Sequence, residues 1–236
     1  MILLVIQWVV FGACALLILF AGPKLTRNVE IIAAKRGLSD DWIGLVLLAS
    51  ITSLPELAAG ISSVSIAKAP EIAVGAVLGS CVFNLVMLVV LDFAVRGESV
   101  YRRARQAHIL SAGFGIMLIG LAGLTIMIGG LGISPAIAHV SAASLVIVLL
   151  YVVATRAIFN YEAKVQESAA QEVEKVLSPV SLSRAQMWVV IAAIAILVGG
   201  LVLPVVGAAI ADNMGIGRSF FGTVLVAAAT SLPELV

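Results

Sequence analysis

Long apolar stretches alternate with short polar ones along this chain, and the apolar stretches have the length of membrane-crossing helices. Uncharged runs long enough for a helix of ~20 residues occupy 1–22, 72–91, 106–155 and 185–211, and 42–66 adds a run with one charge, Glu56. The run 106–155 is too long for one crossing and carries the chain breakers GGLGISP at 129–135, which predicts two helices joined by a tight turn. Six spans are complete on this reading. A seventh begins near Arg218 and stops at Val236 before it can cross, so the sequence reads as a fragment. The first basic residues, Lys24 and Arg27, follow the first apolar run instead of preceding it, as they would in a cleaved leader, so 1–22 is expected to be a retained span.

Composition turns this pattern into a class. Hydrophobic residues make up 62% of the chain and charged residues 11%, against roughly 25% charged in a soluble domain. The predicted fold class is therefore an all-α integral membrane protein whose partner is the lipid bilayer. A net charge of +1 excludes nucleic acid as a partner, because that needs a concentrated basic excess. Cys14 and Cys81 fall inside apolar runs and imply neither a disulfide nor a zinc site.

The placement of charge gives orientation. Twelve of the fourteen Lys and Arg residues fall after spans 1, 3 and 5: Lys24, Arg27, Lys35 and Arg36; Arg96, Arg102, Arg103 and Arg105; Arg156, Lys164, Lys175 and Arg184. Only Lys68 and Arg218 lie on the other side. The positive-inside rule then puts the N-terminus outside and these three loops in the cytoplasm.

A repeat adds symmetry. WIGLVLLASITSLPEL at 42–57 and FFGTVLVAAATSLPEL at 220–235 agree at ten of sixteen positions, and TSLPEL is identical in both. By the charge count the first copy runs outward and the second inward. Inverted repeats with interrupted helices are the architecture of secondary transporters, with the substrate site near the midplane. Three domains are expected: 1–156 as a first five-helix repeat with its motif at 42–92, 157–184 as a short cytoplasmic linker, and 185–236 as the start of a second, inverted repeat whose motif begins at 220.

The repeated residues carry the chemistry. Glu56, duplicated as Glu234, is an ionisable group near mid-membrane, and such a group is functional by default. Pro55 and Pro233 have no N–H to offer the carbonyls of Ile51 and Ala229, and freed carbonyls at that depth must line a cavity or bind something. Thr52 lies four residues before Glu56, which would place both on one helical face with Ser53 beside them. Ser80 and Asn84 share a face in the same way, and Gly75 and Gly79 form a small-residue pair suited to close helix approach. Carboxylate, carbonyl and hydroxyl oxygens suit a hard cation, calcium with sodium competing, whereas zinc or copper would call for His or Cys.

TSLPEL at 52–57 with GSCVFN at 79–84, and TSLPEL again at 230–235, resemble the alpha repeats of sodium/calcium exchangers within the cation/calcium antiporter superfamily. The resemblance implies a transporter of 5+5 transmembrane helices, roughly 330 residues long if the halves are symmetric. It implies that Glu56 and Glu234 are carboxylates shared by calcium and sodium, and that Thr52 and Thr230 give backbone carbonyls to calcium. Ser53, Ser231 and Ser80 would serve sodium, Asn84 would be the central amide, and the carbonyls of Ile51 and Ala229 would lie near an outer sodium site. Ile51 and Ala229 stand where the family has glycine, and Cys81 stands where it has asparagine.

The expected function is exchange of sodium for calcium by alternating access, with those two ions as partners and no cofactor, in a multi-pass protein of a prokaryotic plasma membrane. Proton- or potassium-coupled exchange and a cation channel are the alternatives, and a homo-oligomer stays open. An enzyme is not expected: a hydrolase built on Ser53 or Ser231 needs a base within reach, and His108 and His139 both lie outside the repeat.

Overall fold

A computed structural model of the chain describes residues 1–36, 49–94, 106–130, 136–137, 140–167 and 180–235. The described residues are mostly helical, joined by short turns, with one antiparallel pairing of Ala136–Ile137 with Val140–Ser141. Five helices are long and apolar enough to cross a membrane: α1 (Ile2–Lys35), α4 (Pro70–Ala94), the His108–Gly130 part of α5 (Gln106–Gly130), the Ala142–Tyr161 part of α6 (Ala142–Glu167), and α7 (Leu182–Met214). Their outer faces carry large apolar side chains such as Leu16, Leu85 and Val190, each about half exposed or more. Lipid is the solvent that suits such a surface.

The chain divides into two compact units, Met1–Ala94 with Glu174–Val236, and Val95–Val173. In the second unit α5 ends at Gly130, inside the predicted breaker, and α6 starts at Ala142. The hydroxyl of Tyr161 donates to Gln106 Oε1 at 2.7 Å and ties the far ends of these two helices together.

The first unit is built on α1 and α7. Gln7 pairs with Asn213, Ile18 meets the backbone of Gly199, and Lys24 lies 5.3 Å over the Trp188 ring, so the two helices run antiparallel. The buried seam of α1 continues through Leu25, Val29 and Ala33, well past the predicted end of the span at residue 22. Lys24, Arg27 and Lys35 therefore stand on the helix and not in a loop. The spacing of four from Ala21 through Leu25 to Val29 keeps one apolar face on α7, where Ala192 and Ile196 receive it. The predicted loop residue Arg156 is likewise helical, within α6. Arg96, Arg102, Arg103, Arg105 and Lys175 lie outside the described residues.

The predicted span at 42–66 is not one helix. Its described part is α2 (Ala49–Thr52) and α3 (Leu54–Ser65), separated at Ser53. The second copy of the motif is irregular too: α8 (Arg218–Phe221) passes into a π-helical turn (Gly222–Val226), then α9 (Ala227–Ser231), then a 3-10 turn (Leu232–Leu235). Along α4 this segment keeps step, Gly75 lying against Ser219 and Thr223, and Gly79 against Thr223 and Ala227, so the two run parallel. Glycine is required at 79 because a Cβ there would enter the space of the Thr223 carbonyl. The small-residue pair does serve close approach. Phe11 meets Trp8 and Phe221 edge to face, Trp8 and Phe221 are tilted to one another, and these contacts at centroid distances of 5.6–6.0 Å fasten α8 to α1.

Gly79→Val should lower stability by ~1–3 kcal/mol through overpacking. Gly12→Ala, where an added methyl meets nothing, should be neutral or should stabilise α1 by up to ~1 kcal/mol. Thermal unfolding in detergent micelles reads both, and equal effects would refute the close-approach account.

Candidate functional site

The break in the first motif follows from Pro55. With no N–H to give, proline suits the first turn of a new helix, and α3 begins one residue before it. Ser53, with φ −83° and ψ 4°, is the joint. The expectation that Thr52 and Glu56 share one helical face is thereby corrected: Thr52 closes α2 and Glu56 sits in the first turn of α3, so no continuous helix relates them. What the break provides is a helix N-terminus under Glu56, whose dipole favours negative charge there.

In the second copy the same six residues close α9 at Ser231 and wind tightly over Leu232–Leu235. Pro233 lies flat on α1 at Gly22, where any side chain would take the place of its ring. This contact sets the height of Ser231 and Glu234 against the rest of the unit.

Four elements bring six of the predicted site residues together: α3 gives Glu56, α4 gives Ser80 and Asn84, α9 gives Thr230 and Ser231, and the 3-10 turn gives Glu234. The Ser231 hydroxyl lies 3.1 Å from Glu56 Oε1 and 3.0 Å from Ser80 Oγ. A hydroxyl has one hydrogen, so Ser231 donates to the carboxylate while accepting from Ser80. Thr230 is buried, and its hydroxyl donates to the carbonyls of Val226 and Ala227 at 3.1 and 3.2 Å. Glu234 lies within electrostatic reach of Glu56 and near the Asn84 amide. Glu56 and Asn84 are half-buried, whereas Glu234 is exposed.

Two acceptors at the centre of this cluster are left over. Glu56 Oε2 and Asn84 Oδ1 are buried and accept no hydrogen bond. A buried acceptor without a partner costs about 1–3 kcal/mol, more if charged, and a hard cation would satisfy both. The donor set consists of two carboxylates, one amide oxygen and two serine hydroxyls. Among the described residues no group of three or more His, Cys, Asp or Glu gathers to hold a metal, so a thiolate or imidazole site of zinc type does not arise there.

The remaining predicted residues lie beside the site. Ile51 turns its side chain to the cluster of Ala21, Leu25, Val29, Ala192 and Ile196, and Ala229 is buried in the core that contains Phe11 and Ile18. Thr52 is half-buried at the end of α2, and Ser53 is exposed. Cys81 follows Ser80 on α4, half-buried and within electrostatic reach of Glu234. The sequence marked it only as a departure from a pattern. The π-helical turn before α9 carried no signal in the sequence. Ser62 and Ser63, buried polar groups inside an apolar run, are satisfied by the carbonyls of Leu201 and Ala59 and belong to the packing.

A family model described as sodium/calcium exchanger protein matches residues 6–161. A relative from Alkalimonas amylolytica, named "Putative antiporter CaxA", is 36% identical over 104 residues, which is 40% of this chain and 31% of the relative. The chain thus matches under a third of that curated relative's length. No solved structure gives a significant match.

Ser231→Ala removes the donor to a carboxylate and should cost about 1.5–3 kcal/mol. Because Ser80 reaches Glu56 only through Ser231, the double variant with Ser80→Ala should cost less than the sum of the single ones. Thermal unfolding of the three variants in micelles checks this, and strict additivity would break the relay.

Proposed function

The chain belongs to the sodium/calcium exchanger protein family, and from that premise we propose that it forms part of a secondary antiporter exchanging sodium for calcium by alternating access. The observation that carries this reading is the pair of unsatisfied oxygens, Glu56 Oε2 and Asn84 Oδ1, buried where the two TSLPEL copies meet. An oxygen-only seat with two carboxylates has the charge to hold calcium, which takes six to eight oxygens, and carbonyls or water would complete the shell.

In this proposal Glu56 and Glu234 bind calcium or sodium in exclusion of one another. Asn84, Ser80 and Ser231 contribute side-chain oxygens, and Thr52 and Thr230 contribute backbone carbonyls. Ser53 and the carbonyls of Ile51 and Ala229 serve sodium. The inverted-repeat reading is supported by the antiparallel course of α1 and α7 and by the irregular backbone at both motif copies. The distribution of Lys and Arg supports a multi-pass protein with its N-terminus outside. If more than two sodium ions cross per calcium, each turnover moves net charge worth ~2.3 kcal/mol per 100 mV.

The full-length protein, reconstituted in vesicles, should take up calcium-45 when sodium is loaded inside and not without it. Glu56→Gln should reduce that uptake to background while leaving the protein monodisperse. Uptake that ignores sodium and follows a pH gradient would assign proton coupling, and undiminished uptake by Glu56→Gln would overturn the site.

A further inference from the structure

The seam between α1 and α7 ends in a cluster of polar groups that the ion site does not use. Lys24 Nζ lies 5.3 Å over the Trp188 ring, so the Lys24 flank of α1 adjoins the Trp188 flank of α7. Helical periodicity fixes what else stands on these flanks. On α1, Asn28 lies about 40° round the helix from Lys24, on the side of the buried Leu25 and Val29. On α7, Arg184 lies about 40° from Trp188 and one turn nearer the end to which α1 also runs, since the helices are antiparallel. Lys24 and Arg184 are exposed, and Asn28 and Trp188 are half-buried. Asn28 gives one amide hydrogen to the Lys24 carbonyl at 2.7 Å and keeps the other. Arg27 lies about 60° from Lys24 on the side away from α7, and Glu30 about 120° away in the same sense. Two cations and an amide thus share one slot, and among the described residues no carboxylate pairs with either cation.

The slot lies at the depth of lipid headgroups. The helix α1 has 34 residues, about 51 Å at 1.5 Å per residue, against ~30 Å of hydrocarbon. Lys24 stands about 33 Å from the start of that helix, where hydrocarbon gives way to phosphate. A lysine over a tryptophan suits that level, because both side chains present an apolar body and a polar tip. On the hydrocarbon side of the pair the flank turns apolar. Leu17 and Phe20 precede Lys24 within about 40° of it, Ile191 follows Trp188 by almost one turn, and all three are exposed. On the other side, toward the cytoplasm by the Lys and Arg count, Arg184 and then Lys35 continue the positive charge.

We propose that this slot seats one anionic phospholipid, its phosphate between Lys24, Asn28 and Arg184 and its acyl chains along Leu17, Phe20 and Ile191. Positive charge between transmembrane helices on the cytoplasmic side suits such headgroups. The apolar track decides between a lipid and a free phosphate, because a soluble anion gains nothing from exposed leucine, phenylalanine and isoleucine. Lys24 and Arg184 repel one another across the slot, and a phosphate placed between them turns that repulsion into two attractions. Seated there, the lipid bridges α1 and α7 and stabilises the pair by mass action. The inference concerns the membrane and not the transported ions, so it stands or falls apart from the exchange reading.

The tryptophan in the slot reports on its occupant. In the full-length protein with Trp8→Phe and Trp42→Phe, Trp188 is the remaining tryptophan of this sequence. The protein is placed in vesicles of mixed phosphatidylglycerol and phosphatidylcholine in which one lipid at a time carries brominated chains, and quenching is normalised to unbrominated vesicles. Phosphatidylglycerol should be favoured beside Trp188 by about fivefold at low salt. Lys24→Gln with Arg184→Gln should bring that ratio toward one, Lys24→Arg should keep it, and Arg27→Gln, which removes a charge nearby but off the slot, should change it little. Inorganic phosphate in the buffer should leave it in place. Equal quenching by the two lipids would overturn the proposal, as would a preference that survives the double variant or that Arg27→Gln removes as completely. Loss of the preference to inorganic phosphate would also overturn it, by making the slot a site for the free anion. If the tryptophan replacements prevent folding, the native chain in micelles answers the same question: added phosphatidylglycerol should raise its melting temperature more than phosphatidylcholine does, and Lys24→Gln with Arg184→Gln should erase the difference.

Discussion

A carboxylate withdrawn from water has to be answered by something, and the arrangement of the first unit follows from how Glu56 is answered. One oxygen takes a hydrogen bond from Ser231, which is held by Ser80, and the other is left without a partner. These residues come from three separate elements, so the hydrogen bonds form only if α3, α4 and α9 approach within a few tenths of an ångström of their places. A polar cluster of this kind is worth most when fully satisfied and is costly when it is not. The two unsatisfied oxygens are the costly remainder of that cluster.

The close approach depends on residues with no side chain at all. Gly75 and Gly79 admit the backbone of the π-helical turn, Gly22 admits Pro233, and Gly200 admits Ala58 and the Pro55 carbonyl. In lipid, where apolar burial between helices brings little advantage, small residues and interhelical hydrogen bonds are what bind helices together. The same glycines that let helices touch also set the distance between Glu56 and Ser231. Packing and site are in this sense one device.

Irregular backbone is concentrated at the two motif copies. Pro55 separates α2 from α3, and Pro233 lies in a 3-10 turn preceded by a π turn. Backbone of this kind is tolerated at membrane depth only where protein or water satisfies it. A family of cation exchangers has reason to keep it, because carbonyls turned away from a helix axis are ligands that a regular helix cannot offer.

Much of this was legible in the residues alone. The apolar runs fixed the long helices, GGLGISP fixed the break between α5 and α6, and the doubled TSLPEL singled out Glu56, Ser231 and Glu234, because charge and proline inside an apolar run are rare without a use. Other features were not legible. The helix α1 outran its uncharged segment because Leu25 and Val29 found α7, a partner about 160 residues away. Thr52 lost its helical relation to Glu56 because a proline two residues after Ser53 ended one helix and began another. Ile51 turned into an apolar cluster, and a π turn formed where no residue announced it. Sequence by itself determined which residues were too polar for lipid and must be answered. Only the tertiary structure decided which partner answered each, since that depends on contacts between segments whose separation along the chain no local pattern records.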